Sequence, residues 1–285
     1  MTGLEKVNCP RCHRAILELV RYCASCGTDV GYPNVNLAQA EDEKQALEAR
    51  YTEAVVKAEV RGILDQLQLF EIAIKNSCAV VSMSSDRLRS LATNSNELYS
   101  NYHLAVRAQS RRPAKVRNDQ ARSAVDGRLW GVAASEIRYA ALSLDGKGLK
   151  SYGDCFVTLD EAFIAHRSSV LADNSFVFLK DLTFGEELPT GFRSNWEERH
   201  KVAVAKCEPK LDSSTSPNSF SKVLLQDGND RTDDDFIEVH LYGGFDFVAC
   251  KSVIVGKAAR SKAELLGLKI AESYAVKTGK SWANA

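Results

Sequence analysis

Two cysteine pairs stand near the start of the chain, in Cys9-Pro10-Arg11-Cys12 and Cys23-Ala24-Ser25-Cys26-Gly27. Each pair has the spacing C-x₂-C, and the pairs are separated by ten residues. Four thiolates at this spacing suit the tetrahedral coordination of zinc, and a set of four cysteines leaves no open position for a substrate. Two small disulfides or a redox pair are the alternatives. We predict a structural zinc ribbon over residues 1–34 with the ligands Cys9, Cys12, Cys23 and Cys26.

The composition is that of an ordinary globular protein, with 45% hydrophobic and 26% charged residues in a chain of 285. Thirty-seven basic residues balance thirty-seven acidic ones, so the overall charge does not indicate nucleic-acid or membrane binding. No stretch of eighteen continuous apolar residues predicts a membrane span, and Met1 to Val7 lacks the apolar segment of a secretory signal. Four further single cysteines indicate a reducing compartment, so we expect a cytoplasmic protein.

A long helical segment is predicted to follow the ribbon, over residues 35–130. Between Leu37 and Ser77 the chain has no proline and a single glycine, Gly62. Apolar residues recur there at spacings of four and three, which is typical of a helix with one apolar face. One interpretation is a coiled-coil stalk that forms a homodimer. The other is a long helix packed against the body of its own chain, and the spacing alone leaves both open.

Two charged segments interrupt the later chain. Six basic residues and one acidic residue occur between Arg107 and Arg122, which predicts either a patch for nucleic acid or an acidic partner, or a solvated helix face. No aromatic residue lies among them, so base stacking is not indicated. The acidic run from Asp227 to Asp235 lacks the spacing of a calcium loop and is interpreted as a solvated turn.

Residues 131–285 are predicted to form a mixed α+β body with an antiparallel hairpin. Alternating residues over Phe236–Tyr242 and Phe245–Cys250 flank Gly243-Gly244, which suits a two-residue turn. The sequence Ser261-Lys-Ala-Glu264 has the form of a capping box and predicts the start of a terminal helix. The expected fold class is therefore α+β, in three parts: zinc ribbon, helical stalk and body.

Candidate chemistry concentrates on the first strand of that hairpin. Because side chains alternate across a strand, Ile237, Val239 and Leu241 are expected to enter the core, and Glu238 and His240 to share the opposite face. A carboxylate beside an imidazole can form a catalytic wall. The alternative is an outer face open to water, where both residues are ordinary.

Three motifs resemble a group of uncharacterised bacterial zinc-ribbon proteins. They are Arg138-Tyr-Ala-Ala-Leu-Ser-Leu-Asp-Gly-Lys-Gly-Leu-Lys-Ser-Tyr-Gly153, Ala165-His-Arg-Ser-Ser169 and Ile237-Glu-Val-His-Leu-Tyr-Gly243.

The body also resembles, more loosely, the ADP-ribosyltransferase class. That resemblance implies NAD as cofactor, with Arg138 in the first motif, Ser168 or Ser169 in the second, and Glu238 as the catalytic carboxylate. Two features depart from the class. The late motif is Glu238-Val239-His240 instead of Glu-x-Glu, and Arg138 falls in a predicted short helix, Ala133 to Leu142.

Two functions follow as expectations. In the first, the protein is an intracellular interaction protein whose zinc-bound ribbon docks a protein or nucleic-acid partner, without a membrane association. In the second, it is an ADP-ribosyltransferase-like enzyme that consumes NAD, with Glu238, His240, Arg138 and Ser168 in its active site.

Overall fold

In the computed structural model the protein has an α+β fold. The structure describes residues 6–109, 117–180, 182 and 186–285. The side chains of residues 6 and 117–120 are not described. The helices in these ranges are α1 (Pro33–Ala38), α2 (Glu41–Val60), α3 (Leu64–Lys75), α4 (Ser85–Thr93), α5 (Tyr102–Arg107), α6 (Arg117–Trp130), α7 (Glu161–Ile164), α8 (Ser175–Phe178), α9 (Arg199–Cys207), α10 (Phe220–Leu224) and α11 (Lys262–Lys277). The strands are β1 (Lys6–Asn8), β2 (Ala15–Leu17), β3 (Cys78–Met83), β4 (Ile137–Ser143), β5 (Cys155–Leu159), β6 (Ser168–Leu171), β7 (Arg193–Asn195), β8 (Glu238–Tyr242), β9 (Cys250–Val255) and β10 (Ser281–Asn284).

The strands form two sheets. β1 and β2 make a small antiparallel hairpin in the ribbon. The other eight form one sheet in the order β10-β9-β5-β3-β4-β8-β6-β7, in which only β10 and β9 run parallel. The α+β class and an antiparallel hairpin are therefore both present.

The hairpin predicted around Gly243-Gly244 is wrong, because β8 and β9 are not neighbours. Both edges of β8 are occupied by β4 and β6. β9 pairs with β5 and β10 instead. A short 3₁₀ turn spans Phe247–Ala249. Asp246 caps its start, because its side chain accepts hydrogen bonds from the backbone N–H groups of Val248 and Ala249. The chain between Tyr242 and Cys250 thus connects distant strands of the sheet.

The coiled-coil stalk is also wrong for the described residues. Gly62, with a φ of +67°, separates α2 from α3, and the longer of the two helices has 20 residues. Their apolar faces, including Leu47 and Phe70, belong to the same core as the sheet. The alternative interpretation, a long helix packed against the body of its own chain, is closer to the structure. Two shorter helices, α2 and α3, stand in place of the one long helix. The homodimer predicted through this segment stays a prediction.

The predicted division at residues 130/131 does not separate two packed units. β3 comes from the segment assigned to the stalk, yet it lies in the middle of the large sheet between β5 and β4. Its residues Ala79 and Val81 belong to the same core as Val157. The segment 35–130 and the body thus share one sheet and one core.

The core lies on one face of the large sheet and contains the predicted inward residues of β8. Ile237, Val239 and Leu241 are buried together in it, as the alternation predicts. Burial of each such side chain contributes about 1.5–3 kcal/mol. The opposite face of the same strand carries Glu238 and His240, and it is the face on which the candidate site lies.

The terminal helix α11 begins where the capping box predicts. The side chain of Ser261 accepts from the backbone N–H of Glu264, and the Glu264 carboxylate accepts from the backbone N–H of Ser261. Across the part of the chain that the structure describes, no helix is both long and apolar enough to cross a bilayer.

Candidate metal centre and ligand cavity

The four cysteines of the ribbon come together as one cluster. The Sγ atoms of Cys9, Cys12, Cys23 and Cys26 all lie within 4.8 Å of one another. The two knuckles are crossed, with 3.6 Å between Sγ of Cys9 and Cys26 and 3.7 Å between Sγ of Cys12 and Cys23. All eight cysteines are free, so neither knuckle is a disulfide.

This geometry fits zinc. Four thiolates at about 2.3 Å from a tetrahedral metal lie about 3.8 Å from one another. The measured Sγ–Sγ distances of 3.6 Å and 3.7 Å are close to that value. The four cysteines could therefore hold a metal ion such as zinc, and four thiolates would complete its coordination shell.

The backbone of each knuckle turns immediately after its second cysteine. His13 has a φ of 57° and Gly27 a φ of 70°. Their N–H groups donate to the carbonyls of Cys9 and Cys23, at 2.9 Å and 2.8 Å. The same left-handed turn therefore occurs in both knuckles, once with a glycine and once with a histidine.

The ribbon is attached to the body at the end of β8. The guanidinium of Arg21 lies 4.3 Å from the ring centre of Tyr32 and 5.8 Å from that of Tyr242, and the two rings are 5.5 Å apart. Two residues after Tyr32, the buried Asn34 donates from Nδ2 to the carbonyl of His240 at 2.9 Å and to Ser169 Oγ at 3.2 Å. The chain leaving the ribbon thus contacts the polar strand face directly.

The polar face of β8 is buried, so its interpretation as an outer face open to water is wrong. Glu238 is 2% exposed and His240 is 1% exposed. The ring of Trp130, at the end of α6, stands edge-on to His240 at 4.7 Å. Ser175, at the start of α8, contacts Glu238. Burial of such polar groups is costly unless they are hydrogen-bonded.

Glu238 is held through one of its two oxygens. Oε2 accepts from the backbone N–H of Ser175 at 3.1 Å and from the Ser175 hydroxyl. His240 Nε2 lies 3.2 Å from the same oxygen. Two donors of Ser175 and one ring nitrogen of His240 are therefore directed at the same oxygen.

A cavity of about 160 Å³ opens beside Glu238, where two strands of the sheet separate. β3 and β4 pair only from Cys78↔Ser143 to Val80↔Ala141. Beyond that point β3 continues along β5 and β4 continues along β8. Ser82 and Tyr139, from the separated ends, both line the cavity. The opening in the sheet therefore exposes strand residues that would otherwise be covered.

Four arginines and one carboxylate line this space, which we call the arginine cavity; they are Arg87, Arg122, Arg138, Arg231 and Glu238. Three of the arginines lie over tyrosine rings, at 4.5 Å for Arg87 on Tyr99, 4.1 Å for Arg122 on Tyr139 and 4.8 Å for Arg231 on Tyr152. Such stacking fixes a guanidinium while its edge remains available for hydrogen bonds.

Among the described residues, Arg122 is the cavity arginine with a carboxylate partner. Its Nε lies 3.4 Å from Asp126 Oδ2, and Asp126 also accepts from the Tyr139 hydroxyl at 2.7 Å. Arg87 and Arg138 donate to Ser100 and to backbone carbonyls, and Arg231 donates from Nε to the carbonyl of Ser151. None of these three forms a salt bridge with an acidic side chain of the described residues.

Two charged residues that line the cavity, Arg138 and Glu238, are buried. Burial lowers the pKa of Arg138, which nevertheless remains a cation because its ordinary value is so high. Burial raises the pKa of Tyr152, whose hydroxyl is buried without a partner among the described residues. Electrostatic attraction to a bound anion is stronger in such a setting than in bulk water.

The structure separates the predicted catalytic residues. Glu238 and Arg138 both line the cavity, and Arg138 lies on β4 instead of the predicted helix. They come from opposite faces of the sheet, because Arg138 pairs with Leu241 whereas the next residue, Tyr139, pairs with His240. His240 lies beside Glu238 but is not one of the described residues that line the cavity. Ser168 is not with them, because its hydroxyl donates to the carbonyl of Ile164 at 2.8 Å on the opposite face of β6. Ser169 faces the polar side, where its backbone lies opposite His240.

Arg87, Arg122 and Arg231 were not predicted from the sequence as members of one site. Arg122 belongs to the basic segment for which a solvated helix face was one alternative, yet its side chain is 15% exposed and lies over Tyr139. Arg231 belongs to the acidic run interpreted as a solvated turn. That run also contains Asp234, which is fully buried and accepts from the backbone of Gly228. The two segments are charged, but charge alone does not tell which residue turns inward.

Most of the remaining basic segment cannot be assigned to a surface. Arg107 is exposed. Arg111, Arg112 and Lys115, with the side chain of Arg117, lie outside the described residues. Nucleic-acid binding by this segment stays a prediction.

Comparison with known proteins places the chain in no family, since neither a protein-family model nor a curated protein matches it. The resemblances to zinc-ribbon proteins and to ADP-ribosyltransferases therefore stay predictions. The function has to be argued from the cysteine cluster and the arginine cavity themselves.

Proposed function

We propose that this protein binds a small anionic ligand in the arginine cavity and carries a zinc-stabilised ribbon that docks a macromolecular partner. One observation carries the first part: four guanidiniums and a single carboxylate, among the described residues, line one cavity. Arginine presents several N–H donors in a planar fork that matches phosphate and carboxylate oxygens. An anion in this cavity would be attracted by four guanidiniums, three of which form no salt bridge with a described acidic side chain.

The size of the cavity limits what it encloses. Its volume of about 160 Å³ is close to that of a roughly 150 Å³ cavity that holds one benzene molecule. One aromatic ring or one phosphoryl group fits, and the remainder of a larger ligand lies at the open side. The tyrosines and Phe176 in the wall offer flat apolar surface to a ring. A ring that bears a phosphate or carboxylate combines both preferences.

The ribbon supports a docking function because its metal site has no position for a substrate. Arg11, His13 and Arg14 are exposed around the first knuckle. This local excess of basic groups favours a partner with an acidic surface, whether protein or nucleic acid.

Binding of phenyl phosphate tests the cavity. We expect the purified, zinc-loaded protein to bind it in calorimetry, and the substitution Arg87→Met to weaken binding by about tenfold, since one charge-assisted contact is lost. Arg89→Met is the matched control, because Arg89 lies on the same helix and its side chain is half exposed away from the cavity lining. Absence of binding in the wild type, or equal losses in both variants, would contradict the proposal.

A second candidate function is an NAD-consuming transferase, favoured because Arg138 and Glu238 line the same cavity. The enclosed volume suits a nicotinamide-sized ring but not a whole dinucleotide. In this reaction the bond between nicotinamide and the ribose carbon breaks, an acceptor forms a bond to that carbon, and Glu238 stabilises the positive charge that develops between the two events. The Ser168 hydroxyl donates to the carbonyl of Ile164 and does not line the cavity, which leaves it without a part in this chemistry.

Labelled NAD distinguishes the two candidates. Wild type and Glu238→Gln are incubated with cell lysate, and both label transfer and nicotinamide release are measured. A transferase gives signal in the wild type that is lost in the variant. Ligand binding without nicotinamide release in either protein leaves the cavity as a binding site alone.

A further inference from the structure

The two oxygens of Glu238 have different surroundings. Oε2 accepts two hydrogen bonds from Ser175, and His240 Nε2 lies 3.2 Å from it. Oε1 accepts no hydrogen bond from the described residues. It is not fully buried either, so part of its surface is accessible. Since Glu238 is 2% exposed and lines the arginine cavity, the accessible surface of Oε1 opens into that cavity.

Glu238 is also the one acidic side chain among the described residues that line the cavity. Its charge repels a second anion, so the anionic group of a ligand belongs at the arginines and not beside Glu238. A ligand without a hydrogen-bond donor would close off the carboxylate oxygen from water and leave it without a partner. This unsatisfied acceptor costs binding free energy. A site of this kind discriminates strongly against analogues that lack the donor.

We infer that Glu238 determines specificity, and that the ligand carries an N–H or O–H donor in addition to its anionic group. This inference rests on the proposed function, because it concerns the same cavity. The ligand class is a phosphorylated or carboxylated ring with an amino or hydroxyl substituent on the side away from the acid. The arginines bind the acid, the tyrosine and phenylalanine rings contact the ring, and Glu238 Oε1 accepts from the substituent.

Ser175 acts in this arrangement as a positioning residue. It donates twice to Oε2 and thereby directs Oε1 towards the cavity. His240 supports the same oxygen from within the strand. Neither residue has to contact the ligand for the selectivity to arise.

The test compares phenyl phosphate with 4-aminophenyl phosphate by calorimetry on the full chain loaded with zinc. The two probes share the phosphate and the ring and differ in one donor group. We expect the amino compound to bind the wild type about tenfold more tightly, the effect of one hydrogen bond to a charged acceptor. The measured quantity is the dissociation constant of phenyl phosphate divided by that of 4-aminophenyl phosphate. In Glu238→Gln this ratio should fall towards one. Glu187→Gln, which changes an exposed carboxylate, should leave the ratio unchanged.

A second variant covers the case in which Glu238→Gln fails to fold. Ser175→Ala removes one of the donors to Oε2 but keeps the carboxylate and the backbone N–H, and it should reduce the ratio without abolishing binding of phenyl phosphate. Equal affinity of the wild type for both probes would overturn the inference about Glu238 while leaving the arginine cavity in place. Failure of the wild type to bind phenyl phosphate at all would overturn the proposed function itself.

Discussion

The four ligands of the ribbon lie within the short segment from Cys9 to Cys26, whereas the arginines of the cavity are spread from Arg87 to Arg231. In the ribbon, two tight turns bring the four cysteines together, and their spacing along the chain is enough to predict the cluster. In the cavity, the arginines come from the α4 helix, the α6 helix, strand β4 and the acidic run. The comparison teaches that a site is predictable from sequence in proportion to how locally it is assembled.

The two regions are nevertheless in contact. Arg21 of the ribbon lies over Tyr32 and near Tyr242, and Asn34 donates to the strand that carries Glu238. A change in the ribbon can therefore reach the cavity through β8. The following predictions separate the effects on each region, from the largest to the smallest.

Loss of the metal should have the largest effect, and it should fall on the ribbon. Cys9→Ser or Cys26→Ser is expected to abolish stoichiometric zinc binding, because structural zinc supplies most of the folding free energy of so small a unit. Elemental analysis measures zinc per chain. Cys78→Ser, outside the cluster, is the control and should retain about one zinc per chain. Normal zinc content in either ribbon variant would refute the assignment of four cysteine ligands.

Removal of the link between the regions should come next. Asn34→Ala deletes the side chain that donates to His240, Ser169 and Arg167 in a fully buried position. We expect a loss of about 1–3 kcal/mol in the free energy of unfolding, measured by urea denaturation, since buried acceptors lose their donor.

The control for that link is Asn36→Ala, in which a surface hydrogen bond to the carbonyl of Val30 is lost. Its cost should be well below that of Asn34→Ala. Equal costs would show that Asn34 does not connect ribbon and body.

A smaller effect is expected within the cavity wall from Tyr139→Phe. The hydroxyl that donates to Asp126 is lost, which should cost about 1 kcal/mol of stability. The ring remains beneath Arg122, so the dissociation constant for phenyl phosphate should change less than threefold. A loss of binding as large as that of Arg87→Met would show that the hydroxyl, and not the stacked ring, positions the arginine.

The smallest effect is local to the first knuckle. His13→Gly removes a side chain from a residue with a φ of 57°, a conformation that glycine adopts without steric cost. We expect the ribbon to gain about 0.5–1 kcal/mol, seen as slower zinc loss to a chelator. Gly27→Ala should have the opposite sign. The affinity for phenyl phosphate should be the same in both variants as in the wild type. A changed affinity would show that the ribbon and the arginine cavity are coupled more strongly than their contacts suggest.

Several elements were predictable because the responsible residues are close in the chain. The capping box of Ser261 and Glu264 places the start of α11, and alternation along β8 places Ile237, Val239 and Leu241 in the core. The predicted stalk failed at Gly62, because periodicity does not reveal whether an apolar face meets a second chain or its own sheet. The predicted helix Ala133–Leu142 failed because β4 pairs with β3 and β8, which are distant in sequence.

The sequence by itself determined the cysteine cluster and which residues of β8 share a face, since both follow from spacings of a few residues. Only the tertiary structure decided that the face of Glu238 and His240 is buried, because the residues that cover it, Trp130 and Ser175, come from other parts of the chain. It also decided that Arg87, Arg122 and Arg231 join Arg138 around one cavity. Pairing between distant strands, and the separation of β3 from β4, arise from long-range packing that no local pattern encodes.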